Sequence, residues 1–261
     1  MRHLASDLTS GVRMLLKYPT LSIVAILTFG LGIGLTTTVF GVVNGGLFKG
    51  LPFDEPERVV SLVATNPARG QPRQPISVHD LAVWQARQTI FERHGAFAFT
   101  AINLSIEEGR PERFSAGQLT VAAFETLGVE PIRGRGLQAG DDQPGAEPVL
   151  ILGYEVWRDR FGGSDRAVGQ RVRASGVYRT VVGVMPERFG FPVDGKMWIP
   201  LTADPLATAR GKGPNYQVIA RLEPGVSLTR ANAEASAIAA QLEADFPETN
   251  RGLGARVMPY A

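Results

Sequence analysis

The chain of 261 residues contains no cysteine. That absence excludes disulfide scaffolds, zinc–thiolate sites, iron–sulfur clusters and cysteine nucleophiles together. It leaves the redox compartment open, because a thiol-free chain suits any. Histidine is scarce too, at three residues, and neither His79 nor His94 stands in a ligand-spaced cluster; His79, beside Asp80, reads as a helix-start residue. No G-x-x-x-x-G-K-[ST] loop occurs, so ATP is not bound in the P-loop manner. No serine lies in G-x-S-x-G. Elsewhere usage is ordinary: 44% hydrophobic and 20% charged residues argue against wholesale disorder.

The pI near 9.1 invites a nucleic-acid reading, but the charge is unevenly placed. Residues 1–48 hold Arg2, Arg13 and Lys17 against Asp7, which is three of the 27 basic and one of the 25 acidic side chains. Residues 49–261 therefore carry 24 of each sign. A neutral outer region disfavours a basic nucleic-acid domain.

No charged side chain lies between Tyr18 and Phe48, and Leu21–Phe48 is an apolar run of 28 residues. As a helix it would measure about 42 Å, against a hydrocarbon core of roughly 30 Å, so it can span with tilt. A cleavable signal peptide is the rival, but its apolar centre is usually about 7–15 residues long and precedes an Ala-x-Ala site. Arg13 and Lys17 precede the run, and Asp54, Glu55 and Glu57 follow Lys49. The positive-inside bias then puts the N-terminus in the cytoplasm and residues 49–261 outside, which means the periplasmic side of the inner membrane in a two-membrane bacterium. Gly30, Gly34, Thr37, Gly41 and Gly45 share one helical stripe, small enough for a second helix to approach; the alternative is that glycine and threonine are simply common in membrane helices. Leu4, Leu8, Val12 and Leu15 suggest a short amphipathic helix on the cytoplasmic surface over residues 1–18, or else a structureless tail.

After the span, short strands and helices alternate as in a mixed α/β domain. Strands are expected at Val59–Ala64, Ala101–Ile106, Glu112–Leu119, Pro148–Leu152, Gln170–Arg173, Tyr178–Val184, Met197–Leu201, Tyr216–Leu222 and Arg256–Tyr260. Asn66–Pro75, rich in proline and glycine, reads as a surface loop, and Asp204–Pro214 as a loose segment. Ser77 to Asp80 resembles a capping box opening a helix to about Arg87. Thr120 caps a helix that ends at Gly128, and Tyr154–Phe161 is a helix closed by Gly162-Gly163. The best amphipathic pattern is Leu228, Ala231, Ala235, Ile238, Leu242 and Phe246.

Reactive constellations are missing. Glu107-Glu108 and Asp141-Asp142 fall in turn-like contexts and read as solvated; a glycosidase pair would need a facing geometry. Trp84, Trp157 and Trp198 lie on apolar faces and read as core anchors. Arg133, Arg135, Arg158, Arg160, Arg171 and Arg173 are interleaved with acids, as on a solvated face. No residue asks for a metal or cofactor, and an outer domain without a site serves to contact something. A membrane-anchored hydrolase or ligand receptor is the competing class.

Several separated signatures resemble the MacB-like and FtsX-like permeases of ABC transport systems, most of all the branch called acidobacterial duplicated orphan permeases. Arg13-Met-Leu-Leu-Lys-Tyr-Pro19, Leu31-Gly-Ile-Gly34, Val39-Phe-Gly-Val-Val-Asn44, Leu51-Pro-Phe53 and Pro56-Glu-Arg58 surround the apolar run. Ile76-Ser-Val-His-Asp80, Phe124-Glu-Thr-Leu-Gly-Val-Glu-Pro131, Gly134-Arg-Gly136, Tyr154-Glu-Val-Trp157, Phe161-Gly-Gly163, Val181-Val-Gly-Val-Met-Pro186 and Ala220-Arg-Leu-Glu-Pro-Gly225 follow in order. The resemblance implies an α/β (α+β) periplasmic core domain over residues 49–261 behind one transmembrane helix at 19–48. It implies two lobes, one from about 49–120 with 213–261, the other inserted at about 121–212. It further implies a non-catalytic permease component, a separate cytoplasmic ABC ATPase, a second permease copy or half, a periplasmic adaptor, a lipid bilayer around the span, and no nucleic acid. Relatives work in macrolide or peptide efflux, lipoprotein extraction or control of cell-wall hydrolases. Leu35 and Thr36 depart from the smaller residue and asparagine common in relatives. The family places further membrane helices after the outer domain, so a chain ending at Ala261 is expected to be a fragment, a split gene product or a truncated member.

Overall fold

A computed structural model describes residues 17, 19–20, 23, 27–34, 55–106 and 110–260. The chain divides into two compact units, 1–51 and 52–261. In the first, residues 27–34 are helical and exposed. Among the described residues no helix is long and apolar enough to cross a membrane; most of the expected span lies outside the described residues, as do the segment 1–16 and the pair Glu107-Glu108.

The second unit is a mixed α/β domain built on one twelve-stranded sheet. Its elements are β1 (Val59–Asn66), β2 (Gln71–Gln74), β3 (Ile76–Ser77), α1 (Val78–Arg87), β4 (Phe91–Ser105), β5 (Glu112–Leu119), α2 (Val121–Leu127), β6 (Arg133–Gly134), β7 (Val149–Leu152), α3 (Tyr154–Phe161), β8 (Arg171–Ala174), β9 (Val177–Val184), β10 (Met197–Pro200), β11 (Asn215–Leu222), α4 (Leu228–Asp245), α5 (Pro247–Asn250) and β12 (Gly254–Pro259). The strand order is β12-β1-β11-β4-β5-β10-β7-β9-β6, with β2 on β1 and β3 on β11. Strand β8 pairs with both β4 and β9. The pairings β4-β5-β10-β7-β9-β8 therefore close on themselves, so this half of the sheet is a ring of six strands. Closure removes free edges, the usual liability of a sheet.

Strand β4 belongs to both halves. Its first part, Phe91–Phe97, pairs with β11; its outer part, Phe97–Leu104, pairs with β5. Two clusters of buried hydrophobic residues stand out among the described residues. Val60, Leu62, Trp84, Phe91, Ala96, Val218, Ala220, Ala231, Ala235, Ile238 and Leu242 form one, between the open sheet and helices α1 and α4. Ile102, Leu104, Ala116, Leu150, Leu152, Val172, Ala174, Val181, Met197 and Ile199 form the other, among the ring strands, with Val156 and Trp157 of α3. Ala96, Ile102 and Leu104 share parity along β4, so one face of one strand serves both cores. The opposite face of its first part meets α2. A Cβ on Gly95 would overlap the backbone nitrogen of Ala123 and the hydroxyl of Thr120, which is why a glycine stands there.

Local chemistry explains most boundaries. Ser77, Thr120 and Ser227 each accept a backbone N–H three residues on and open α1, α2 and α4. Gly128 and Gly162 end α2 and α3 with positive φ. Three expectations need correction. Asn66–Pro75 is not a plain loop: a single 3₁₀ turn, held by the Asn66 side chain accepting from Arg69 N–H and ended by Gly70 at φ 63°, folds β2 back onto β1. Strand β4 starts at Phe91, ten residues before Ala101, because pairing with β11 over Phe91–Phe97 overrides the broken alternation of Glu92-Arg-His-Gly95. Leu228, the first residue of the apolar pattern on α4, is 37% exposed.

The open edge at β12 is closed by a side chain. Val257 N–H donates to Asn232 Oδ1 at 3.0 Å, and Asn232 Nδ2 donates to Val257 O at 2.9 Å. The carboxamide thus imitates a further strand, while Pro259 on the same edge has no N–H to offer. Asn232→Ala leaves both Val257 groups unpaired and should cost about 2 kcal/mol in urea unfolding. A loss under about 0.5 kcal/mol would show that the amide does not hold the edge.

Candidate functional site

The described residues contain no group of three His, Asp or Glu that could hold a metal ion. The two outer histidines are used separately. His79, second residue of α1, contacts the Thr208 carbonyl through Nε2 at 2.9 Å, so that nitrogen carries the proton. His94 is buried on β4 with its ring 5.6 Å from that of Phe91. Its Nε2 has no hydrogen-bond partner, and burial pushes its pKa down to about 4, so the imidazole is neutral at ordinary pH.

The best organised polar cluster joins three remote segments. Arg210 bonds Asp80 and, at 3.2 Å, Asn250 Oδ1. Asn250 Nδ2 donates to Asp80 Oδ2 at 3.1 Å, and Thr249 Oγ1 donates to Asn250 Oδ1 at 2.6 Å. The guanidinium also lies 3.6 Å from the centroid of the Phe246 ring. This ties the irregular stretch 203–214 to α1 and α5. It also corrects the capping-box expectation: Ser77 does cap α1, but Asp80 points to Arg210 and Asn250. These bonds join three remote segments, so the cluster is a structural lock. Nothing around Arg210 in the sequence announces it, because its partners lie 130 and 40 residues away.

Other candidates have structural roles. Asp141 accepts from the Arg135 guanidinium at 2.6 Å and from Gln138 N–H, and Asp142 accepts from Val121 N–H at the start of α2. They anchor loops, where solvated carboxylates were expected. Trp84, Trp157 and Trp198 are buried; Trp198 Nε1 donates to Phe191 O, and Trp157 Nε1 to Ser164 O. Arg133 pairs with Asp165, Arg158 with Asp159, and Arg160 with Glu112. Gly30 and Gly34 lie in the helical residues 27–34, with nothing within 4 Å of where a Cβ would stand. Lys17 is helical and exposed; Arg13, Thr37, Gly41 and Gly45 lie outside the described residues.

The concavities are open grooves. One of about 480 Å³ lies over Leu104, Ile106 and Phe114 beside Arg110 and Arg160. Another, of about 380 Å³, runs across Ser61, Val63, Phe97, Phe99 and Tyr260, where burial raises the Tyr260 phenol to about 12. Neither brings a nucleophile to a base.

A family model described as the MacB-like periplasmic core domain matches residues 22–238. No curated protein matches the chain. Three solved structures share its fold. A domain assigned as a permease protein from Porphyromonas gingivalis has a TM-score of 0.60 at 18% identity, covering 80% of this chain and 93% of its own. The extracellular domain of the noncanonic ABC-type transporter YknZ from Gram-positive bacteria gives 0.55 at 17%, covering 77% and 99%. The periplasmic region of MacB from Actinobacillus actinomycetemcomitans gives 0.58 at 13%, covering 82% and 92%.

His94 generates a pH dependence. An unfolded chain protonates it near 6.5, the folded domain only near 4. Its contribution is therefore whole above pH 6.5 and is lost as pH falls towards 4, by up to about 3 kcal/mol. Unfolding free energies of wild type and His94→Gln, measured from pH 7 to 4, should converge by that amount; parallel curves would contradict a neutral buried imidazole.

Proposed function

Since the chain belongs to the MacB-like periplasmic core domain family, we propose that it couples a separate cytoplasmic ATPase to an event outside the membrane, in efflux or in mechanical transmission. Membership implies a permease-type, non-catalytic role and a membrane-anchored protein with an extracytoplasmic segment. The observation that carries the reading is the family match itself, which runs from residue 22, ahead of the helical residues 27–34, through the outer domain to residue 238. The uncharged run Leu21–Phe48, with Arg13 and Lys17 before it, supports an inner-membrane span with the N-terminus inside. The two cores support a division into two lobes, one carrying both ends of the domain and one inserted. The spacing of Gly30, Gly34, Thr37, Gly41 and Gly45 supports a small-residue stripe for a second permease copy or half. A periplasmic adaptor would meet the outer domain.

A chain without cysteine is suited to single-cysteine labelling. A membrane-impermeant maleimide added to intact spheroplasts should label Gln138→Cys, on an exposed outer-domain loop, and should reach Ser6→Cys only after lysis. The reverse pattern would overturn the topology. Purified in detergent from native membranes, the tagged chain should bring an ABC ATPase with it; recovery without any ATPase or permease partner would count against the coupling role.

A further inference from the structure

We propose that the outer surface of the six-strand ring, at the end of the domain farthest from where the chain enters and leaves it, docks an acidic segment of a protein partner through Arg113, Arg171, Arg173 and Tyr178. This rests on the reading of the domain as an extracytoplasmic contact module, and names the surface and the chemistry of the contact.

Register places these residues on one face. Asn103 of β4 stands opposite Arg113 of β5, and Ser105, two residues on, stands opposite Arg173 of β8. Arg173 in turn stands opposite Tyr178 of β9, and Arg171 opposite Thr180. Directly paired residues share a face, as do residues two apart. The other face of the same strands presents Leu104, Val172 and Ala174 to the ring core. Arg113, Arg171, Arg173 and Asn103 are all exposed, and Tyr178 is 59% exposed with the Arg171 guanidinium 5.7 Å from its ring. No ion pair is formed by these three arginines among the described residues. That sets them apart from Arg133, Arg135, Arg158 and Arg160, each of which meets an acid. The other side chains that register places on the face, Asn103, Ser105 and Thr180, are neutral, so Arg113 on β5 and Arg171 and Arg173 on β8 flank β4 on its two sides with no acid paired to them among the described residues.

Position selects the occupant. Tyr260 N–H donates to Val59 O, so the chain enters and leaves the domain at one point. Val59 pairs with Arg221, and Leu222 with Phe91, so β4 starts at that same end. Fifteen residues of strand carry it up to about 50 Å away, to Ser105 beside Arg173. A lipid headgroup is thus disfavoured, since the tether to the bilayer joins the opposite end. A second copy presenting the same face would set arginine against arginine. An acidic protein surface fits by charge, and Arg and Tyr together supply the planar, partly apolar contacts that dominate protein interfaces.

The test uses the full chain in nanodiscs and a fluorescein-labelled glutamate-rich peptide, with its glutamine counterpart, read by anisotropy. The glutamate peptide should bind and the glutamine peptide should not. R113E/R173E should weaken binding about tenfold or more, and Tyr178→Ala should weaken it less. Arg256→Glu, exposed on β12, should bind as wild type, and all variants should keep the wild-type melting transition. Equal binding by R113E/R173E, an equal loss in Arg256→Glu, or uptake onto phosphatidylglycerol vesicles through these arginines without peptide binding would each overturn the proposal. The peptide arm does not involve the ATPase, so this surface and the coupling role can fail separately.

Discussion

The domain depends on one strand being shared. Residues 91–105 form a single β4 whose near part completes an open sheet and whose far part is a stave of a closed ring. Beyond Phe91, where the pairing with β11 shifts register, side chains alternate along β4, so one set of positions faces both cores. A one-residue slip would turn Ala96, Ile102 and Leu104 outward at once and unmake both. The two cores therefore cannot be arranged independently, and Ile199 and Leu201, at the end of β10, join them a second time.

Around that strand the remaining devices fix position rather than chemistry. Gly95 lets α2 lie directly against β4. The Asp80–Arg210–Asn250 lock ties stretch 203–214, the return from the ring to the open sheet, onto α1 and α5. Asn232 closes the outer edge at β12.

Much of this was legible in the sequence where a local signal and the final environment agree. Ser77, Thr120 and Gly128 mark helix ends because capping is decided within four residues, and Tyr154–Phe161 is bounded on both sides by glycine. The start of β4 was not legible, since Glu92, Arg93, His94 and Gly95 satisfy neighbours that arrive from β11 and α2. The β2 hairpin was hidden in a stretch whose prolines and glycine also suit a loop. Asp141 and Asp142 read as solvated because their partners, Arg135 and the first amide of α2, are recruited by the tertiary fold. Arg171 and Arg173 read as one solvated set with Arg133, Arg135, Arg158 and Arg160; only the tertiary fold separates them from those that meet acids and places them with Arg113. Family membership was legible through many weak signatures in a fixed order, and it carries the function more directly than any single residue does.

Native-state hydrogen exchange along β4 tests the shared-strand account most directly. The amides on its two sides, such as those near Ala96 and near Ile102, should be released by one opening reaction, with the same free energy and the same urea dependence. Separate openings, with the ring part of β4 exchanging while the sheet part stays protected, would contradict it and leave two cores joined only by a connection.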